Sequence, residues 1–120
     1  MKIEIKARTK DNSEMIIKGN RHRLKLNSGE IINVVTDKRP DSALGPMWFV
    51  SHIESGISLI PPQYYCYPRL VFFGDCDLDP TTERNALIIC KFVFDGYYKN
   101  YSKTFKQILE ERERKFKEQI

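Results

Sequence analysis

The sequence predicts an α+β fold, in which an antiparallel β-sheet of six to eight strands is covered on one face by a C-terminal amphipathic helix. Apolar and charged residues alternate with a period of two in the first third of the 120-residue chain, and turn-forming residues separate these runs at even intervals. A helical period of apolar residues follows only at the end. Strands first and a helix last favour an α+β arrangement, and the length fits one domain over residues 1–120.

A meander of hairpins is predicted for residues 1–60, because short alternating runs are separated by turn residues. Gly19 and Asn20 are predicted to form one of these turns, and the segment from Asp37 to Pro46, with two prolines and a glycine, is predicted to be a long surface loop. The predicted strands are Lys2 to Thr9, Glu14 to Lys18, Arg21 to Asn27, Glu30 to Thr36, Met47 to Ile53 and Ile57 to Ile60.

Two apolar strands are predicted within residues 61–95, at Arg69 to Phe73 and at Ala86 to Phe94. The second segment has an alternative, because Asp79-Pro80 followed by Glu83 could cap and open a helix. Its β-branched and aromatic residues and its length of nine residues favour the strand.

The final segment, about 98–120, is predicted to be an amphipathic helix that begins after a Ser102 cap. Its apolar stripe reaches Phe116 and Ile120, farther than one small sheet is expected to cover. We therefore expect a homodimer or a higher homo-oligomer that associates through this helix. The apolar stripe comprises Tyr98, Tyr101, Phe105, Ile108, Leu109, Phe116 and Ile120.

Composition favours a soluble cytoplasmic protein. Hydrophobic residues make up 41% of the chain and charged residues 30%, and no apolar run approaches the roughly 18 residues that span a bilayer. The first residues alternate apolar and charged side chains, whereas a secretory signal needs an unbroken apolar stretch. Three widely spaced cysteines, Cys66, Cys76 and Cys90, are expected to be reduced thiols.

The positive charge is concentrated in the first third of the chain. Residues 1–39 contain ten Lys or Arg and five Asp or Glu, a difference of +5, whereas residues 40–120 contain ten and eleven, a difference of −1. On alternating strands these cations would lie opposite the apolar positions, so that adjacent strands could form one basic face for phosphates. The alternative is a solvated face that discourages edge-to-edge aggregation. This predicted basic face comprises Lys6, Arg8, Lys10, Arg21, Arg23 and Lys25.

No set of residues has the spacing of a catalytic or metal site. Ser51, His52 and Glu54 include nucleophile, base and acid, but neighbours on a strand point to opposite faces. The carboxylates of residues 75–79 begin like a calcium loop, but Pro80 stands where that loop needs glycine and Ala86 where it needs glutamate. We therefore expect a protein that is not an enzyme and that has no cofactor and no metal.

Residues 48–57, Trp-Phe-Val-Ser-His-Ile-Glu-Ser-Gly-Ile, resemble the strand-turn-strand segment of small phage-encoded anti-defence proteins, including the anti-Thoeris sponges that sequester a cyclic ADP-ribose signal. The resemblance implies a non-enzymatic oligomer, in the host cytoplasm if phage-encoded, that traps an anionic nucleotide between subunits. Arginines would bind its phosphates and aromatic rings its base. Only the segment from Trp48 to Gly56 carries the resemblance.

The sequence leads to a first hypothesis of a binding protein for an anionic nucleotide-type ligand. Arginines near the late aromatic residues would bind phosphate, Trp48 and His52 would shape the pocket, and a tyrosine would stack on the base. One alternative is a nucleic-acid-binding regulator that uses the predicted basic face, and another is a protein-inhibiting partner. The candidate ligand-binding residues are Trp48, His52, Arg69, Tyr97, Tyr98, Arg112 and Arg114.

Overall fold

The structure is a computed structural model that describes residues 2–8, 13–40, 46–65 and 78–118. These residues form four strands, a short 3-10 helix and two α-helices. The fold is α+β, as predicted, with a helix at its C-terminal end, but its sheet has four strands in the described residues instead of six to eight. The elements are β1 (Lys2–Arg8), β2 (Glu14–Lys25), β3 (Ile31–Arg39), β4 (Met47–His52), the 3-10 helix (Pro62–Tyr65), α1 (Glu83–Tyr101) and α2 (Phe105–Glu118).

The sheet is an antiparallel meander in the order β1-β2-β3-β4. His22 of β2 lies opposite Val34 of β3, which lies opposite His52 of β4, so these three side chains share one face. This face, here termed the helix face, packs against the two helices, and the other is termed the reverse face. The core beneath the helices contains Leu26, Ile32, Val34, Val50, Leu59, Ile60, Tyr64, Ala86, Ile89, Cys90, Phe94, Phe105 and Ile108.

The β1–β2 hairpin folds across part of the reverse face. In a flat sheet the outer strands β1 and β4 would be separated by about 14 Å, three strand spacings. Instead, the backbone N–H of Arg8 donates to the carbonyl of Gly56, which follows β4, at 2.8 Å. Ala7 and Ile17 form a second buried cluster with Val35 of β3. The sheet therefore buries apolar residues on both faces. The helices cover part of the helix face, and the β1–β2 hairpin covers part of the reverse face.

The predicted turn at Gly19 and Asn20 is wrong, because β2 runs without interruption from Glu14 to Lys25. Gly19 lies where the backbones of β2 and β3 approach each other closely. A Cβ atom at this position would lie 2.1 Å from the backbone oxygen of Thr36, so only glycine lets β2 cross β3 here.

The strand predicted at Ala86 to Phe94 is also wrong, because these residues lie within α1. The helix begins after Thr82, whose hydroxyl accepts a hydrogen bond from the Asn85 N–H at 3.1 Å. Its buried residues recur with a helical period. Packing of this face against the sheet outweighs the preference of the individual residues for strands. These buried residues are Ala86, Ile89, Cys90 and Phe94.

The helix predicted over about 98–120 is divided into two. α1 extends to Tyr101, and Ser102 then takes a left-handed backbone conformation with φ of 55°, which ends the helix. Ser102 therefore caps the end of α1 and does not start a helix. The strand predicted for Ile57 to Ile60 is reduced to an isolated bridge between Ser51 and Ser58, and the strand predicted for Arg69 to Phe73 lies outside the described residues.

Candidate functional site

His52, one of the predicted ligand-binding residues, is buried between β4 and α2. Its Nδ1 lies 2.9 Å from the hydroxyl of Ser55, and its ring packs edge-to-face on Phe105 with centroids 5.2 Å apart. Burial lowers the pKa of His52, and the negative charges of Glu54 and Glu113, which oppose this shift, do not offset it. The ring is therefore neutral near pH 7 and forms part of the packing between the sheet and α2.

Arg112 is linked to His52 through the rings of Phe94 and Phe105, and its guanidinium contacts groups within the chain. Its Nη1 donates to the carbonyl of Ser58 at 3.2 Å, and its guanidinium carbon is 5.5 Å from the ring centre of Phe94. Phe94 in turn packs on Phe105, which joins Arg112 and His52 in one cluster. These contacts hold α2 against the sheet and occupy one of the five guanidinium N–H donors that a phosphate could otherwise use.

Tyr97 extends this cluster, because its ring centre lies 6.2 Å from that of Phe94, and the remaining predicted ligand-binding residues lie elsewhere. Trp48 is half-buried beside the 3-10 helix, where its carbonyl accepts a hydrogen bond from the Tyr65 hydroxyl at 2.8 Å. Tyr97 is half-buried on α1, Tyr98 is exposed, and Arg69 lies outside the described residues.

Arg114 is exposed and lines an open depression of about 360 Å³ along α2. Two of its lining residues, Lys103 and Glu111, form an ion pair with 2.9 Å between Nζ and Oε1. The remaining lining residues are Gln107 and Glu110, so its walls carry charges of both signs. This is the size of a small-molecule site, although its charge does not favour anions over cations.

The predicted basic face is divided between the two faces of the sheet. Lys6 lies opposite Ile16 in the register, and both share the side of the helix face, beyond the area that the helices cover. Arg21 lies opposite Val35, on the reverse face. Because β2 is continuous, its even- and odd-numbered side chains point to opposite sides. Alternation along β2 therefore places the two sets of cations on opposite sides of that strand, Lys10 lies outside the described residues, and phosphate binding by the predicted basic face stays a prediction.

The cations of β1, which form the first set, and Arg21, Arg23 and Lys25 of β2, which form the second, differ in their acidic neighbours. In the first set, Glu4 stands between Lys2 and Lys6 on the same strand face, and Glu14 is directly opposite Arg8. These carboxylates reduce the local positive potential.

In the second set, Arg21, Arg23 and Lys25 are exposed, and the residues opposite them are Val35, Asn33 and Ile31. Among residues 2–8, 13–40, 46–65 and 78–118, no carboxylate forms an ion pair with any of the three cations. The surface formed by Arg21, Arg23, Lys25, Ile31 and Asn33 is termed the ribbon face, and it is the candidate functional site.

The sequence-based prediction included the cations of the ribbon face but missed Ile31 and Asn33. Ile31 is 51% exposed, and Asn33 is half-buried. A signal was present, since Asn33 interrupts the apolar run of β3 at an odd-numbered position, in line with the exposed Ile31. Assigning that position to the same face as Arg23 requires the register of β2 and β3.

The strands that carry the ribbon face are fixed at one end by Glu83 of α1. Its Oε2 accepts hydrogen bonds from Asn20 Nδ2 and from Thr36 Oγ1, each at 2.7 Å, and lies 3.4 Å from His22 Nε2. Partial burial opposes ionisation of Glu83, but these hydrogen bonds hold its pKa below the usual value. The first turn of α1 is thereby attached to both β2 and β3.

The other end of the same strands is fixed by Glu30, which follows the β2–β3 turn. Its carboxylate accepts hydrogen bonds from the backbone N–H groups of Phe105 at 2.8 Å and Lys106 at 3.1 Å, and from the Ser28 hydroxyl at 2.7 Å. It therefore caps the positive end of the α2 dipole. On the α1 side, Asp95 accepts a hydrogen bond from the Asn27 N–H at 2.8 Å.

Glu30→Gln is expected to destabilise the fold by about 1 kcal/mol at neutral pH, because a charged cap is lost. Partial burial raises the pKa of Glu30, but hydrogen bonds from Ser28, Phe105 and Lys106 outweigh it and leave the pKa below its usual value. The stabilisation is therefore complete above the unfolded-state pKa, about 4.3, and is lost as the pH falls through the lower folded-state pKa.

Urea unfolding at several pH values tests this expectation. The difference between wild type and Glu30→Gln should diminish in acid. The matched control is Glu110→Gln, an exposed α2 position. A difference that is constant from neutral pH to pH of about 2.5, well below the usual carboxyl pKa, would contradict the capping role.

Neither a metal-binding cluster nor a membrane-spanning helix occurs in residues 2–8, 13–40, 46–65 and 78–118. In that part of the chain, no group of three or more His, Cys, Asp or Glu residues is arranged to hold a metal ion. Within the same ranges, neither helix has the length and apolar character needed to cross a membrane.

Comparison with protein-family models, with curated proteins and with solved structures finds no match to this chain.

Proposed function

We propose that this protein binds nucleic acid, with the cations of the ribbon face contacting backbone phosphates. The observation that carries the proposal is the alignment of Arg21, Arg23 and Lys25 on one strand face, exposed and without ion-paired carboxylates among the described residues. Side chains two residues apart on a strand repeat at about 7 Å, so the three cations form a linear array about 14 Å long. Such an array suits a polymer of regularly spaced negative charges.

Local order supports the proposal as well. Glu83 fixes one end of the β2–β3 hairpin and Glu30 fixes the other, so its strands do not need to become ordered on binding. Because less conformational entropy is lost, a rigid array binds more tightly than the same charges on a flexible segment.

The triple substitution Arg21→Ser, Arg23→Ser and Lys25→Ser is expected to weaken nucleic-acid binding strongly. Each phosphate contact contributes about 0.9 to the slope of log affinity against log salt for duplex DNA, so the slope should decrease in magnitude by about 2 to 3. The measurement is fluorescence anisotropy of labelled 20-nucleotide single strands and the corresponding duplex at several salt concentrations. The three side chains are exposed, so the urea midpoint should stay close to that of wild type.

The chain offers a control with the same change of charge. Lys2, Lys6 and Lys18 are exposed on the other side of the β1–β2 hairpin, and replacing all three by serine also removes three positive charges. This control should retain most of the affinity. If both triple variants bind equally weakly, net charge is responsible and the ribbon face is not the site.

A second candidate function is sequestration of an anionic nucleotide-type ligand, as the first sequence hypothesis predicts. The observation that favours it is the depression lined by Lys103 and Arg114, whose volume of about 360 Å³ is within the range of small-molecule sites. The same triple variant discriminates between the candidates, because a nucleotide held on α2 would bind to it as tightly as to wild type. Self-association through α2 remains a prediction under either candidate.

A further inference from the structure

The part of the sheet that carries the ribbon face is a two-stranded ribbon. β1 pairs with β2 only as far as Asn20, and β4 pairs with β3 only from Val34 onward. Between these limits, and among the residues that the structure describes, segments 21–25 and 31–33 pair only with each other, although the Ile53 N–H donates to the Asn33 carbonyl at 3.1 Å. The exposed ribbon extends for about 17 Å, five residues of antiparallel strand.

The dimensions of such a ribbon fit the major groove of B-form DNA. Two strands about 4.8 Å apart, with their side chains, can enter a groove about 12 Å wide, whereas the minor groove is only about 6 Å wide. The major groove of an RNA duplex is deep and too narrow for side chains to read. Shape therefore favours duplex DNA over duplex RNA.

The side chains on the ribbon face are types that can recognise base edges in that groove. Arginine and lysine donate to guanine O6 and N7, asparagine forms two hydrogen bonds with adenine, and an aliphatic side chain contacts the thymine methyl group. Asn33 lies opposite Arg23, and its side-chain amide forms no hydrogen bond within the described part of the chain. Ile31 lies opposite Lys25.

The residue types also argue against a single strand as the preferred ligand. Single-stranded nucleic acid is generally bound by aromatic rings on which its bases stack. None of the five residues that form the ribbon face is aromatic; they are Arg21, Arg23, Lys25, Ile31 and Asn33.

The opposite side of the ribbon is packed against the helices, which leaves the ribbon face free to enter a groove. Leu26, Ile32 and Val34 are buried in the core with Phe94 and Phe105 of the two helices. Helices behind the ribbon would lie away from the DNA, and they hold the recognition side chains on a fixed backbone.

From these observations we infer that the protein binds double-stranded DNA by inserting the β2–β3 ribbon into the major groove, where the flanking Arg21 and Lys25 keep their phosphate contacts and the central Arg23 contacts base edges together with Asn33. This inference rests on the proposed nucleic-acid binding and adds to it the class of nucleic acid and a preference for sequence.

The experiment begins with selection of bound duplexes from a pool of 20-base-pair DNA with a randomised centre. We expect enrichment of a short motif that contains guanine and adenine. Anisotropy at one salt concentration should then show that the enriched duplex binds at least tenfold more tightly than either of its single strands, than the RNA duplex of the same sequence, and than an unselected DNA duplex.

Substitutions test whether the preference for the enriched sequence depends on the ribbon face. Asn33→Ala should lower affinity for the enriched duplex about tenfold, change affinity for the unselected duplex little, and relax the preference at one adenine. Asn100→Ala, an exposed position on α1, is the matched control and should have no effect. Unchanged urea midpoints exclude loss of folding as the cause.

The outcomes separate this inference from the proposed function. If no motif is enriched, or if single strands or duplex RNA bind as tightly as duplex DNA, while Arg21→Ser, Arg23→Ser and Lys25→Ser still abolishes binding, the protein binds nucleic acid but groove recognition is wrong. The same conclusion follows if Asn33→Ala weakens binding to both DNA duplexes equally. If the triple variant binds like wild type, both proposals are wrong.

Discussion

Gly19→Ala is expected to lower the free energy of unfolding by about 3 kcal/mol, the upper part of the range for overpacked positions. The added Cβ would lie 2.1 Å from the backbone oxygen of Thr36 and 2.9 Å from a methyl carbon of Val35, and both residues are fully buried. No side-chain rotation relieves a clash with a backbone atom. β2 must therefore move away from β3, which disturbs the point where the β1–β2 hairpin begins to fold over the reverse face.

Gly96→Ala provides the matched control, because the chemical change is the same and the surroundings differ. Gly96 is inside α1, and in the described part of the chain no atom beyond its neighbours and its own helix backbone lies within 4 Å of a Cβ added there. Alanine is favoured over glycine in a helix by about 1 kcal/mol, so this variant should be more stable than wild type. Urea unfolding measures both effects. Similar shifts for both variants, or an unchanged midpoint for Gly19→Ala, would contradict the close crossing of β2 over β3.

The fold could be predicted from the sequence where the pattern depends on local periodicity. Alternation of apolar and charged residues indicated the strands of the first third, and helical spacing indicated a C-terminal helix. Ala86 to Phe94 was assigned incorrectly because a short apolar run fits a buried strand or a buried helix equally well. The choice is made by the core formed by β2, β3 and β4, against which Ile89 and Phe94 pack.

The candidate site could be predicted only in part. The alternation that identifies its cations is a local sequence pattern, whereas the strand register that brings its residues together is not. Strand alternation was sufficient to place Arg21, Arg23 and Lys25 on one side of one strand. Placing Lys6 on the same surface required a turn at Gly19, after which odd and even positions could change sides. Since Gly19 instead allows a continuous strand to cross β3, the alternation persists and the two sets separate.

Phe105→Ala is expected to reduce the free energy of unfolding by about 3 to 5 kcal/mol, the usual cost of removing a buried aromatic ring. The Phe105 side chain packs edge-to-face on His52 at 5.2 Å and on Phe94 at 4.9 Å between ring centroids. It thus joins the start of α2 to both β4 and α1. The position is only 6% exposed, so removal of the ring would leave a cavity in the core.

Phe92→Ala separates this packing role from the general loss of an aromatic ring. Phe92 lies on α1 and is 42% exposed, so its replacement should cost less than about 1 kcal/mol. Because the Phe105 N–H also bonds to Glu30, loss of the ring should weaken the attachment of the β2–β3 turn to α2. Amide hydrogen exchange should then be faster at residues 26–31 in Phe105→Ala and unchanged there in Phe92→Ala. Equal unfolding midpoints for the two variants would show that α2 is not anchored through Phe105.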